Sequence, residues 1–136
     1  MTPITYVKQR GETDCVIACL AMVTGKSYDE TLEVFAPYWD KYSEEGVGDN
    51  AFYQYLGDNG YLVQTFKKFY EPTQSNRIIW PIEPFAPVHV LGVDYLGDEH
   101  GIVMDKDGLI FDPYDSKKIG LYEYQIVYEI IGIWKK

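Results

Sequence analysis

The period of the apolar residues changes part-way along this chain, and that change limits what it can fold into. Up to Leu56 apolar residues follow helical spacing or stand behind helix-start signals; from Tyr61 onward they alternate. Cys15, Ala18, Cys19, Met22 and Val23 are three and four apart, which predicts a helix over Asp14 to Thr24. Thr13 or Asp14 can cap its start, and Gly25 suits the left-handed residue that ends it. Ser27 and Glu30 form a capping box for a second helix, expected to stop before Pro37. Tyr38 to Asp49 reads as a loop. A third helix is expected from Asp49 or Asn50 to Leu56, ended by the Gly57–Gly60 turn.

Predicted strands follow at Tyr61 to Phe69, Val88 to Tyr95, Gly101 to Asp105, Leu109 to Asp112 and Tyr128 to Trp134. Pro72, Pro81, Pro84 and Pro87 mark a wandering connection between the first two. Gly97 to Glu99 reads as a turn, and Tyr122 to Ile126 is compatible with a helical turn. The fold class is therefore α+β, with N-terminal helices packed on a C-terminal antiparallel meander. The chain has 136 residues, the size of one domain, so residues 1–136 are expected to form a single unit.

Charge and cysteine content narrow the function classes. The net charge of −9 repels phosphate backbones and makes nucleic acid a poor partner, while leaving a peptide or protein substrate open. No apolar run is long enough to cross a membrane, and Met1 to Gly11 lacks the basic and apolar segments of a secretory signal. A cytoplasmic, reducing compartment is expected for the two cysteines. Their spacing of four puts their Cβ atoms about 5–6 Å apart on a helix, too far for an unstrained disulfide.

Cys15 stands at the first turn of a predicted helix, where unpaired amides favour a thiolate. Buried packing is the plainer reading of a cysteine on an apolar helix face, and Cys19, one turn deeper, keeps it. A nucleophilic cysteine needs a base and a group that orients the base. The chain has two histidines. His89 lies inside the apolar run Pro87 to Leu91 and reads as a satisfied strand histidine. His100 follows a polar turn and opens a strand, where a base can project into a cleft.

The next hairpin tests this pairing. A three-residue loop, Lys106-Asp107-Gly108 with Gly108 left-handed, pairs Asp105 with Leu109 and Ile102 with Asp112. His100 and Asp112 then share a face as diagonal neighbours about 7–8 Å apart. A two-residue loop would place them on opposite faces, and Asp112 before Pro113 could simply end a strand. Gln9, six residues before Cys15, has an amide able to hold an oxyanion, although a lone glutamine is more often just exposed.

Together, Gln9-x5-Cys15, the phrase Asp14-Cys15-Val-Ile-Ala-Cys19-Leu-Ala-Met22, His100-Gly-Ile-Val and Asp112-Pro113 resemble the papain-like cysteine peptidases. The branch they resemble most is that of the double-glycine leader peptidases, known from bacteriocin exporters and from small stand-alone bacterial and phage relatives. The resemblance spans residues about 5–115. It implies a thiol hydrolase with Cys15 as nucleophile, His100 as general base and acid, Asp112 orienting His100, and Gln9 in the oxyanion hole. No cofactor and no metal is expected. Val16 departs from the glycine that often follows the nucleophile.

Other readings use the same residues. Acyl transfer or deamidation would employ the same triad. A non-catalytic binding module would use the tyrosines and tryptophans, with Tyr38 to Tyr42 and Phe66 to Tyr70 as contact regions. A metal site built from Cys15, Cys19, His89 and His100 lacks the usual knuckle spacing.

Overall fold

The computed structural model describes residues 3–11, 14–42, 49–67, 84–95, 98–114, 116–118 and 127–136. Three helices come first: α1 (Cys15–Thr24), α2 (Tyr28–Tyr42) and α3 (Asp49–Asp58). Six strands follow: β1 (Tyr61–Lys67), β2 (Val88–Tyr95), β3 (Asp98–Asp105), β4 (Ile110–Asp112), β5 (Ser116–Lys118) and β6 (Val127–Lys135). The α+β layout, with helices packed on an antiparallel sheet, is as expected.

Local chemistry explains most of the helix boundaries. Gly25 ends α1 at φ 76°, and its N–H donates to Ala21 O at 2.9 Å. The capping box is reciprocal: Glu30 N–H donates to Ser27 Oγ, and Ser27 N–H donates to Glu30 Oε1. Ile17 through Val23 are all buried, because α1 runs between the sheet and α2.

The expected stop of α2 before Pro37 is wrong. The helix continues through Pro37 to Tyr42. An interior proline costs about 3 kcal/mol or more, and aromatic packing on the next turn offsets it. Phe35 and Tyr38 stack on each other and both meet Tyr55 of α3 edge-on, at 5.3 and 5.4 Å between centroids. Tyr38 also donates from its hydroxyl to Asp58 Oδ2. It is therefore a helix-packing residue and not part of a free contact loop. Of the second proposed contact region, Phe66 lies in β1 and residues 68–70 lie outside the described residues, as do the helical turn at 122–126 and most of the proline-rich connection.

The meander is only partly right. The sheet order is β1-β6-β2-β3-β4-β5. Strands β2 to β5 follow one another, but β6 returns from the chain end and inserts between β1 and β2. Asp98 and Glu99, expected in a turn, pair with Tyr95 and Asp94 as the start of β3. Strand β5 is a short charged edge that no alternation announced.

Val90, Val103, Ile131 and Ile133 face the helices in one core. Leu91, Val93, Ile102, Met104 and Ile110 form a second cluster on the opposite face of the sheet.

His89 is fully buried and held by backbone. Its Nε2 accepts from the N–H groups of Phe85 and Ala86, both at 3.1 Å, so Nδ1 carries the proton and donates to Met104 O. Burial is the largest influence, and it lowers the His89 pKa below 6.5. A depressed histidine contributes stability above pH 6.5 that is lost as pH falls toward the folded value. Imidazole 15N shifts should show His89 titrating below 6.5, with its neutral form protonated on Nδ1; titration at 6.5 or above would contradict the arrangement.

Candidate active site

Three elements meet at the N-terminus of α1. Cys15 is the first residue of that helix. It is partly exposed, whereas Cys19 is fully buried. The helix crosses β3 at Gly101, where a Cβ would lie 3.5 Å from Cys19 Sγ and 3.7 Å from Cys15 Sγ. These are ordinary contact distances, so the helix end packs against the strand beside His100.

The hairpin after His100 takes the three-residue loop. Asp105 N–H donates to Leu109 O, Gly108 adopts φ 86°, and Val103 pairs with Phe111. Asp105 Oδ1 also accepts from the N–H groups of Asp107 and Leu109, which locks the loop. This register places Asp112 diagonal to His100, and His100 Nε2 lies 2.7 Å from Asp112 Oδ1. The same carboxylate oxygen accepts from Tyr114 N–H at 2.8 Å. Asp112 is 0% exposed and His100 7%.

The Cys15 side chain also acts on His100 and favours its charged form. With Nε2 held by Asp112, Nδ1 is the nitrogen left for the thiol. Burial opposes a charged imidazole, but the hydrogen bonds and negative charge of Asp112 and Cys15 outweigh it, and His100 is raised to about 9. Cys19 is pushed well above the ordinary thiol value, by burial first and then by Cys15 and Asp112. Tyr114 stands edge-on to the His100 ring at 6.3 Å and is exposed at the rim of the site.

The raised His100 has a consequence for stability. The folded state holds a proton that the unfolded chain releases near pH 6.5. The contribution is therefore complete below 6.5 and is lost as pH rises through about 9. Its size is on the order of 3 kcal/mol. Urea midpoints should fall between pH 6 and 8.5 in the parent protein and much less in a His100→Gln variant. Equal slopes in both would show that the ring is not charged in the folded state.

Gln9 reaches the site on the N-terminal segment. Gln9 N–H donates to Pro113 O at 2.8 Å, and the Tyr6 hydroxyl donates to Asp112 O at 2.6 Å. These two bonds tie the segment to the end of β4. The Gln9 side chain is buried; its Nε2 donates to Gly11 O at 2.7 Å, and its Oε1 has no partner among the described residues. The structure thus joins His100 to Asp112 by a hydrogen bond, brings the Cys15 side chain under the same strand, and anchors the segment of Gln9 beside Asp112.

Asp14 was missed as anything but a cap. It is the N-cap of α1 by position, and its carbonyl accepts from Ile17 and Ala18, but its side chain makes no capping bond. The carboxylate turns back instead onto the N–H groups of Arg10 and Gly11, and the Tyr28 hydroxyl donates to it. Burial raises its pKa, but these bonds overcome that and hold it below the ordinary value of 3.8. Tyr28, fourteen residues away on α2, left no sequence signal of this contact.

The fold can now be compared with solved structures. The peptidase domain of Streptococcus ComA, a bifunctional ABC transporter of a quorum-sensing pathway, superposes with a TM-score of 0.64 at 17% identity, covering 97% of this chain and 100% of that one. A double-glycine-motif protease from an AMS/PCAT transporter, solved with its leader peptide, gives 0.66 at 16% identity, covering 98% and 92%. The chain has the papain-like peptidase fold. At these identities the likeness establishes the papain-like architecture alone. Comparison of the sequence with protein-family models and with curated proteins finds no match.

Proposed function

We propose that this papain-like domain is a cysteine peptidase-like hydrolase that cleaves a peptide or amide bond through Cys15, His100 and Asp112, with Gln9 at the oxyanion. The observation that carries the reading is the 2.7 Å hydrogen bond of the His100 ring to a fully buried Asp112, with Cys15 at the helix N-terminus acting on the same ring. Buried charge is costly unless paired, and a thiolate–imidazolium pair backed by a carboxylate makes that burial useful.

The Cys15 thiolate attacks the carbonyl carbon, forming an S–C bond and an oxyanion. The Gln9 amide and the Cys15 backbone N–H stabilise that oxyanion at the positive end of α1. The proton on His100 Nδ1 passes to the leaving amine as the C–N bond breaks. Water then loses a proton to Nδ1 and attacks the thioester, releasing the acid and regenerating the thiolate. Asp112 keeps the ring in place by accepting from Nε2 throughout. No metal or cofactor enters this scheme. A peptide substrate fits the leader peptide bound by the second similar structure; a double-glycine preference is not carried over.

Peptide mass mapping after iodoacetamide at pH 7 tests the pair. Cys15 should be labelled while buried Cys19 is protected, and a His100→Ala variant should slow Cys15 by roughly tenfold or more. Equal, slow labelling of both cysteines, indifferent to the His100 substitution, would refute the reading.

A further inference from the structure

We propose that Asp14 is a positioning residue for the oxyanion hole: it builds the turn that holds the Gln9 carboxamide. This rests on the peptidase reading above and adds a part to the site. The relay can be followed bond by bond. The Tyr28 hydroxyl of α2 donates to Asp14 Oδ2. That oxygen also accepts from Arg10 N–H at 2.8 Å, and Oδ1 accepts from Gly11 N–H at 2.8 Å. Gly11 then presents its carbonyl to Gln9 Nε2 at 2.7 Å. Among the described residues this is the one hydrogen bond on a buried carboxamide whose Oε1 is unpaired.

The turn is fastened from outside as well. The Arg10 guanidinium lies 4.0 Å from the centre of the Tyr28 ring and is 2.6 Å from Asp29 Oδ1. A Cβ on Gly11 would stand 3.4 Å from Asp14 Oδ1, so the turn closes tightly on the carboxylate. A carboxylate at a helix N-terminus normally caps its own helix. Asp14 gives up that bond and spends both oxygens on residues 10 and 11. Oxyanion donors act only if placed to within a few tenths of an ångström, and a long glutamine side chain needs such a hold.

Two reagents separate this role from thiolate formation. 4-Nitrophenyl acetate acetylates Cys15 through a tetrahedral oxyanion, forming a thioester and releasing 4-nitrophenolate. Iodoacetamide alkylates the same sulfur by displacing iodide, with no oxyanion. Asp14→Ala should slow acetylation of Cys15 by about tenfold to a hundredfold, as Gln9→Ala does, and leave alkylation within about twofold of the parent. The double variant should be no slower than Gln9→Ala alone, because both substitutions disable one device. Asp14→Asn, which keeps one acceptor, should recover part of the rate, and Tyr28→Phe tests the same relay without touching the turn if Asp14→Ala does not fold.

Additive losses in the double variant, or equal slowing by both reagents, would overturn the assignment while leaving the peptidase reading intact. A parent protein alkylated at Cys15 but never acetylated there would overturn both.

Discussion

On the proposed mechanism, a Cys15→Ala variant is expected to lose peptide hydrolysis by about 10³-fold or more, while Cys19→Ala is expected to keep it within a few-fold. The two thiols are one helical turn apart and both lie over Gly101. They differ in what surrounds them. Cys15 is partly exposed at the helix N-terminus and acts on the charge of His100. Cys19 is fully enclosed, and burial holds its proton on. Removing the Cys15 sulfur removes the atom that forms the thioester. Removing the Cys19 sulfur leaves a small cavity that costs stability of about 1 kcal/mol. Product analysis by mass spectrometry on a mixed peptide pool checks this. Equal residual activity in both variants would refute the assignment of the nucleophile.

The second large effect is on the base. Asp112→Ala is expected to lower kcat by about 10³–10⁴-fold and to move its pH dependence. In the parent, His100 keeps its proton up to about pH 9, so proton donation to the leaving amine persists to that pH and fails above it. Without the carboxylate, burial is unopposed on that side and drives the imidazole pKa down. The alkaline limb of the profile then shifts toward neutral pH. Tyr114 N–H also loses its acceptor, which loosens the aromatic rim over the ring. A pH profile unchanged in shape, merely scaled down, would mean that Asp112 acts through stability and not through the charge state of His100.

How much of this was visible beforehand depends on how local each interaction is. The capping box at Ser27, the Gly25 stop and the His100–Asp112 hairpin depend on residues within about a dozen positions of each other. There, turn chemistry and side-chain alternation suffice to place the groups. Local chemistry leaves the parity of the loop open, and left-handed Gly108, with the hydrogen bonds that Asp105 Oδ1 accepts from the N–H groups of Asp107 and Leu109, decides it for three residues. The resemblance of Gln9, Cys15, His100 and Asp112 to the papain-like pattern then followed from order and spacing.

What the sequence left undecided involves contacts between distant segments. The continuation of α2 past Pro37 depends on Tyr55 from another helix, since local propensity alone predicts a stop. The insertion of β6 between β1 and β2 pairs it with β1, more than sixty residues earlier, where pairing has no local signature. Asp14 has the residue type and position of a helix cap, and only the approach of Arg10, Gly11 and Tyr28 turns it away from that task. The sequence alone thus determined the α+β order and supplied the chemical groups of the candidate site. The tertiary structure decided which of their hydrogen-bonding atoms face one another, because that follows from burial and packing between segments the chain brings together only on folding.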